Sequence, residues 1–106
     1  MIFGTGRQPN TYQLGLENTK VALDEKGYVK VDKFQNTTQN GIYAVGDVIG
    51  KIYLTPVAIA AGRRLSERLF NGQTDLYLDY NFVPTVVFTH PPVATICLTE
   101  KAALEE

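Results

Sequence analysis

At 106 residues, 44% of them hydrophobic and 20% charged, the sequence reads as one globular domain or a piece of one, not as a disordered chain. Ten basic against eleven acidic side chains leave a net charge of −1, which gives no electrostatic ground for nucleic acid or an anionic membrane as partner. No apolar run approaches the roughly 20 residues of a membrane span, and no basic region followed by an apolar core marks a signal peptide. A single cysteine, Cys97, excludes an internal disulfide and fits a reducing compartment, the cytoplasm.

In chain order, Met1–Phe3 reads as the tail of a strand, broken by Gly4 and Gly6. Arg7-Gln-Pro-Asn10 is a turn, because proline fixes its own backbone and biases Gln8 towards an extended form. Residues 11–20 have no clear period and read as loop with at most one helical turn. Asp24–Gly27 is a turn in which Gly27 is free to take a positive φ. Tyr28-Val-Lys-Val-Asp32 alternates apolar and polar side chains, the pattern of a half-exposed strand. Gln35–Asn40 is a polar connection.

The stretch from Gly41 to Phe70 organises the rest. Ile42–Val45 is a short apolar run suited to a buried strand; Gly46 breaks it, and Asp47 sets a carboxylate at its carboxyl end. Thr55 reads as an N-cap and Pro56 as the first helical residue. Apolar residues at 57, 58, 61, 65 and 69 follow at helical spacing, and Asn71-Gly72 supplies the stop. Arg63, Arg64, Glu67 and Arg68 read as a solvated face of that helix. Asn71–Asn81 is polar and irregular, the best internal boundary. Two further strands are predicted, Thr85–Phe88 and Val93–Leu98, interrupted by His90-Pro-Pro92 because proline cannot donate to a ladder. Thr99 is a candidate N-cap of a helix that has only begun at the last residues, and the chain reads as cut at both ends.

Strand, glycine, carboxylate, loop and helix start form the order in which open α/β sheets place ligands. Asp47 at that point has two readings: acceptor for a ligand hydroxyl, or cap of its own turn through backbone donors two residues on. The helix start at Thr55 likewise favours an anion or a polarised carbonyl, or simply meets water.

Taken together, the motifs resemble the flavoprotein disulfide reductases. Thr37-Thr-Gln-Asn-Gly-Ile-Tyr-Ala-Val-Gly-Asp47 is similar to their second flavin-binding motif, with a threonine ten positions before the aspartate. Gly4-Thr-Gly-Arg-Gln-Pro-Asn10 resembles the motif closing their pyridine-nucleotide domain, with Gly4 where alanine is usual. Leu54-Thr-Pro-Val-Ala58 and Ala60-Ala-Gly-Arg-Arg64 are similar to the flavin-facing helix, and Pro84–Pro92 to the opening of the dimer-interface domain. Within the family the spacing is most similar to glutathione reductases of bacterial type.

The resemblance implies an α/β fragment in three parts: residues 1–9 from the end of an NADPH-binding domain, 10–80 as an FAD-contacting segment, and 81–106 opening the interface domain. It implies FAD and NADPH as cofactors, glutathione disulfide as substrate, and the rest of a homodimeric reductase as partner. Asp47, beside Gly46, would bond the ribityl chain of FAD. Leu54 and Thr55 would face the flavin, Tyr53 would lie on its nicotinamide side with Arg7 near the nucleotide, and Val86 and Phe88 would stand close to that pocket. Thr37 would tie the loop before the strand. His90 is declined as acid/base, since the family's histidine sits in a different motif, and reads as part of a turn. Cys97 is declined as a redox thiol, because the family uses a CxxxxC pair; glycine is more usual at its position, and a buried strand cysteine is expected. No catalytic residue falls in the chain, so the fragment is expected to be inactive alone. A sister reductase (dihydrolipoamide, mycothione or trypanothione type) and a free-standing flavin-binding or interaction module are the alternatives. Apolar faces along Val57/Ala61/Leu65 and on Val86/Phe88 are expected to lack partners, so that the piece alone would rearrange or self-associate.

Overall fold

A computed structural model describes residues 1–105. Between Lys20 and Ala44 the backbone winds back and forth, held by hydrogen bonds too sparse to make continuous strands. Asp24 to Gly27 makes the predicted turn: the Asp24 carboxylate accepts from the N–H groups of Lys26 and Tyr28 (2.8 and 2.9 Å), and Gly27 takes a φ of 86°. The turn brings Leu23 opposite Val29 in an isolated antiparallel bridge. A hook closes from Asp32 to Asn36, and the loop after it, tied by Thr37 N–H to the Ile42 carbonyl at 3.1 Å, brings Asn36 opposite Tyr43. The expected strands at Tyr28–Asp32 and Ile42–Val45 are therefore reduced to one bridge each, and Met1–Phe3 is exposed chain without strand pairing.

The hook at 32–36 is dense in side-chain bonds. Asp32 Oδ1 accepts from the N–H of Phe34 (2.8 Å) and of Asn36 (3.0 Å), and Oδ2 accepts from Asn36 Nδ2 at 2.7 Å. Burial pushes the Asp32 carboxyl up, but these donors, with the Arg68 charge, outweigh it and hold the group below its ordinary value. Thr37 ties the next loop as expected: its hydroxyl lies 2.8 Å from the Ile42 carbonyl and 3.0 Å from that of Gln39, and accepts from the Gln39 N–H at 3.1 Å.

Helix α1, Thr55–Phe70, starts one residue earlier than the Thr55 cap predicts. Leu54 is the N-cap, in extended backbone, and its carbonyl accepts from the N–H groups of Val57 and Ala58 at 3.0 and 3.1 Å. Thr55 is thus the first helical residue, its hydroxyl caps nothing, and Pro56 occupies the second position, where a missing donor is equally harmless. The stop is as read: Asn71 bonds back to Glu67, and Gly72 takes a φ of 68°.

α1 packs on the short 3-10 turn Gly46–Ile49. The core lies beneath it: Val29, Ile49, Val57 and Ala61 are buried, and so is one polar side chain, Gln35, 1% exposed. Two expectations are corrected here. The Val57/Ala61 stripe is covered by the chain's own residues, and Gln35, placed in a polar connection, lies in the interior. Arg68 also leaves the solvated face expected of it. It is partly buried, its Nη2 donating at 2.9 Å both to the Phe34 carbonyl and to Asn36 Oδ1, with its guanidinium over the rings of Phe34 and Tyr43.

Beyond a 3-10 turn at Tyr80–Phe82, β1 (Thr85–Val87) and β2 (Val93–Thr95) pair antiparallel, Val86 opposite Ala94. The segment His90-Pro-Pro92 joins them, as predicted, through a cis His90–Pro91 peptide. Both strands are shorter than predicted, and every residue in them is exposed. Cys97 is not the buried strand residue expected: it is exposed, past the end of β2, with a φ of 65°. A left-handed backbone suits glycine best, so a cysteine is conformationally unusual here. Thr99 does cap the last helix, α2 (Glu100–Leu104), accepting from Ala102 N–H at 3.2 Å. The radius of gyration, 16.5 Å, exceeds the roughly 13 Å of a compact domain this long, as expected of a chain that buries so little.

Candidate functional site

Gly46 carries the backbone around the corner between the Tyr43 bridge and the 3-10 turn with a φ of 77°. A Cβ there would stand 3.2 Å from Ala58 Cβ, so the glycine lets the corner sit against the first turn of α1. Asp47, the next residue, is exposed on the outside of that corner. Among the described residues its carboxylate accepts no hydrogen bond; the turn is closed instead by its backbone carbonyl, which accepts from Gly50 N–H at 3.0 Å. Of the two readings of Asp47, the turn cap is therefore not the one adopted. Thr55 is exposed at the start of α1, and its N–H has no acceptor among the described residues.

A groove of about 250 Å³ opens beside Asp47, bounded by Arg7, Asn10, Tyr28 and Tyr53 among others. It unites three sequence-predicted residues, Arg7, Asp47 and Tyr53, drawn from two stretches 40 residues apart. Tyr53, 40% exposed, donates its hydroxyl to Tyr28 Oη at 2.7 Å. That bond pushes the Tyr53 phenol above its ordinary value; desolvation and the nearby Asp47 carboxylate add to the rise, and Arg7 opposes it. Tyr28 was not singled out by sequence reasoning. The one signal for it is its place on the outward side of the alternating stretch whose inward residue is Val29.

Leu54 and Val86 lie apart from this groove. They line a second, apolar one of about 480 Å³ between the first turns of α1 (Pro56, Val57, Ala60) and the segment Leu78–Phe88. Gly46 and Thr55 line neither groove. Among the described residues, no group of histidine, cysteine, aspartate and glutamate side chains could hold a metal ion, and no helix is long and apolar enough to cross a membrane.

Against known proteins, the sequence profile described as pyridine nucleotide-disulphide oxidoreductase matches residues 1–62, more than half of the chain. The chain belongs to the pyridine nucleotide-disulphide oxidoreductase family. Over all 106 residues it is 47% identical to glutathione reductase of Schizosaccharomyces pombe (strain 972 / ATCC 24843), of which it covers 23%. Among solved structures it is similar to the HOCl-induced flavoprotein disulfide reductase RclA from Escherichia coli. The Cu(II) complex superposes with a TM-score of 0.85 at 36% identity, over 95% of this chain and 23% of that one. Another RclA structure gives 0.82 at 33% identity, over 97% and 24%. This pyridine nucleotide-disulphide oxidoreductase chain thus spans about a quarter of the length of the relatives it matches. Its mixed helix and strand arrangement is that of a region within a flavoprotein disulfide reductase.

Proposed function

We propose that the chain is a segment of an NADPH-dependent, FAD-containing reductase that converts glutathione disulfide to glutathione. The observation that carries this reading is the whole-length identity to a glutathione reductase, joined to an exposed, unbonded Asp47 beside the start of α1. Residues 1–9 would close an NADPH-binding domain, 10–80 would contact FAD and 81–106 would begin a dimer-interface domain. The remainder of the reductase and a second subunit are the partners, in the cytoplasm.

The residues present fit a flavin. An ionised carboxylate with free lone pairs takes hydroxyl donors, and Asp47 would bind and orient the ribityl chain. Thr55 offers an N–H at the positive end of a sixteen-residue helix, where negative charge on a ring carbonyl or nitrogen is stabilised. Gly46 lets the corner that carries Asp47 pack against the first turn of α1 at Ala58, and Leu54 would exclude water from the helix side. Arg7 would hold a phosphate or polarised amide of the nucleotide in the groove it shares with Asp47 and Tyr53, while Val86 lines the separate apolar groove together with Leu54. FAD, when bound, supplies two-electron chemistry between NADPH and a disulfide. The thiol pair that exchange requires must come from elsewhere in the reductase, since this segment has one cysteine.

The test is a titration of the purified chain with FAD, followed by flavin fluorescence. Saturable binding at micromolar FAD that weakens about tenfold or more in Asp47→Ala, by the loss of charge-assisted hydrogen bonds, means the Asp47 half of the site is preformed; no binding means it is only half a site, complete in the full-length reductase. Equal affinity of the two proteins would remove Asp47 from the site. In the full-length reductase, NADPH oxidation should depend on glutathione disulfide. A preference for dihydrolipoamide, mycothione or trypanothione would replace the substrate and leave the family intact.

A further inference from the structure

One contact in the groove is unaccounted for by the roles given so far: two phenols, 25 residues apart, joined at 2.7 Å. The surrounding backbone is built to keep them there. Val29, next to Tyr28, is buried, and its N–H donates to the Val48 carbonyl at 3.0 Å, which ties Tyr28's stretch to the corner carrying Asp47. The Tyr28 ring then lies across Gly50. A Cβ at position 50 would stand 2.7 Å from Tyr28 Cγ and about as close to both Cδ atoms, and the φ there is 70°. Only glycine leaves room for the ring, so Gly50 seats Tyr28. The two rings are tilted by 32° with centroids 6.3 Å apart, neither stacked face to face nor edge-on, so the hydroxyl bond is the directional contact that fixes one ring against the other.

We propose that Tyr28 is a positioning residue that acts through Tyr53: by taking the Tyr53 hydroxyl proton in a hydrogen bond, it holds the Tyr53 ring as a fixed wall of the groove, against which the planar ring of a nicotinamide nucleotide seats. The proposal rests on the reading that this groove takes the pyridine nucleotide. A half-exposed tyrosine on a loop samples several rotamers, and a ligand that packs on it must immobilise it. Holding one rotamer beforehand removes that cost. The walls fit that class: an aromatic face, a guanidinium at Arg7 for the polarised or phosphorylated end, an amide at Asn10, and the Asp47 carboxylate, which accepts from hydroxyl donors and turns the anionic end towards Arg7.

The experiment is steady-state kinetics of the full-length reductase in four forms: unaltered, Tyr28→Phe, Tyr53→Phe and the double variant. Tyr28→Phe keeps the ring and its packing and removes only the acceptor oxygen. It should raise the KM for NADPH about fivefold, with the KM for glutathione disulfide within about twofold and the flavin content unchanged. Because Tyr28 acts through Tyr53, the double variant should match Tyr53→Phe and not multiply the two effects. Gly50→Ala, which keeps both hydroxyls but displaces the Tyr28 ring, should reproduce the NADPH-selective rise. An active enzyme in which Tyr28→Phe leaves the KM for NADPH unchanged overturns the proposal, as do multiplicative effects or a parallel rise in both KM values. An unaltered enzyme with no disulfide-dependent NADPH oxidation overturns the functional reading itself, a result separate from these.

Discussion

The region from Lys20 to Phe70 and the hairpin Thr85–Thr95 are both rich in valine and aromatic residues, yet they solve burial in opposite ways. The first has no continuous strand but places Val29, Ile49, Val57 and Ala61 under one helix and locks its turns with aspartate, threonine and arginine side chains. The hairpin has regular pairing and no interior: Val86, Val87 and Val93 are all exposed, and Phe88 beside it is 87% exposed. Backbone pairing alone therefore does not make a folded unit here. An isolated two-stranded ladder is marginal in water, whereas a helix over a few buried side chains fixes even irregular chain.

Substitutions that introduce charge should separate the two regions most sharply. Ala61, 1% exposed, is the tightest apolar position. Ala61→Asp should cost roughly 3 kcal/mol or more and abolish cooperative thermal unfolding monitored by circular dichroism. Val93→Asp, on an exposed strand, should stay within about 0.5 kcal/mol. Equal losses would mean that the hairpin is part of the same core. A smaller effect is expected at Arg68. Arg68→Ala removes two charge-assisted bonds to the 34–36 hook, and a loss of about 2 kcal/mol should follow in denaturant unfolding. Arg68→Met, which keeps the aliphatic stem, separates lost bonding from lost packing. The smallest effect concerns acid. The folded Asp32 carboxyl lies below its ordinary value of 3.8, so its contribution is complete above that value and fades as the pH falls through the folded one. Asp32→Asn should flatten the acid limb of the stability–pH curve below about pH 4 without changing the neutral region's shape.

What the sequence made legible was local. Helix α1 carries its own period and its proline within sixteen residues and its stop in the two that follow, so its place was readable to within one. Thr99 and Asp24 bond within four residues of themselves, and both were found. Alternation at Tyr28–Asp32 reported only which side chains face inward. Whether a neighbouring strand runs alongside is a non-local fact, and single bridges formed where ladders were predicted. Gln35 was missed because nothing local marks a glutamine for burial at a φ of 63°; among the described residues its Nε2 has no hydrogen-bond partner. The candidate site was half legible. Motif spacing pointed to Asp47, Arg7 and Tyr53, which share a groove, whereas Tyr28 entered it only through the fold.

Arg68 has a consequence beyond its bond energies. A single guanidinium spans the last turns of α1 and the hook 34 residues earlier, so opening either one costs the bonds that join it to the other. Amide protons at Asn36 and Ala44, whose shielding depends on that hook, should exchange with solvent in step with those near Phe70. One side chain would thus turn two distant stretches of backbone into one opening unit.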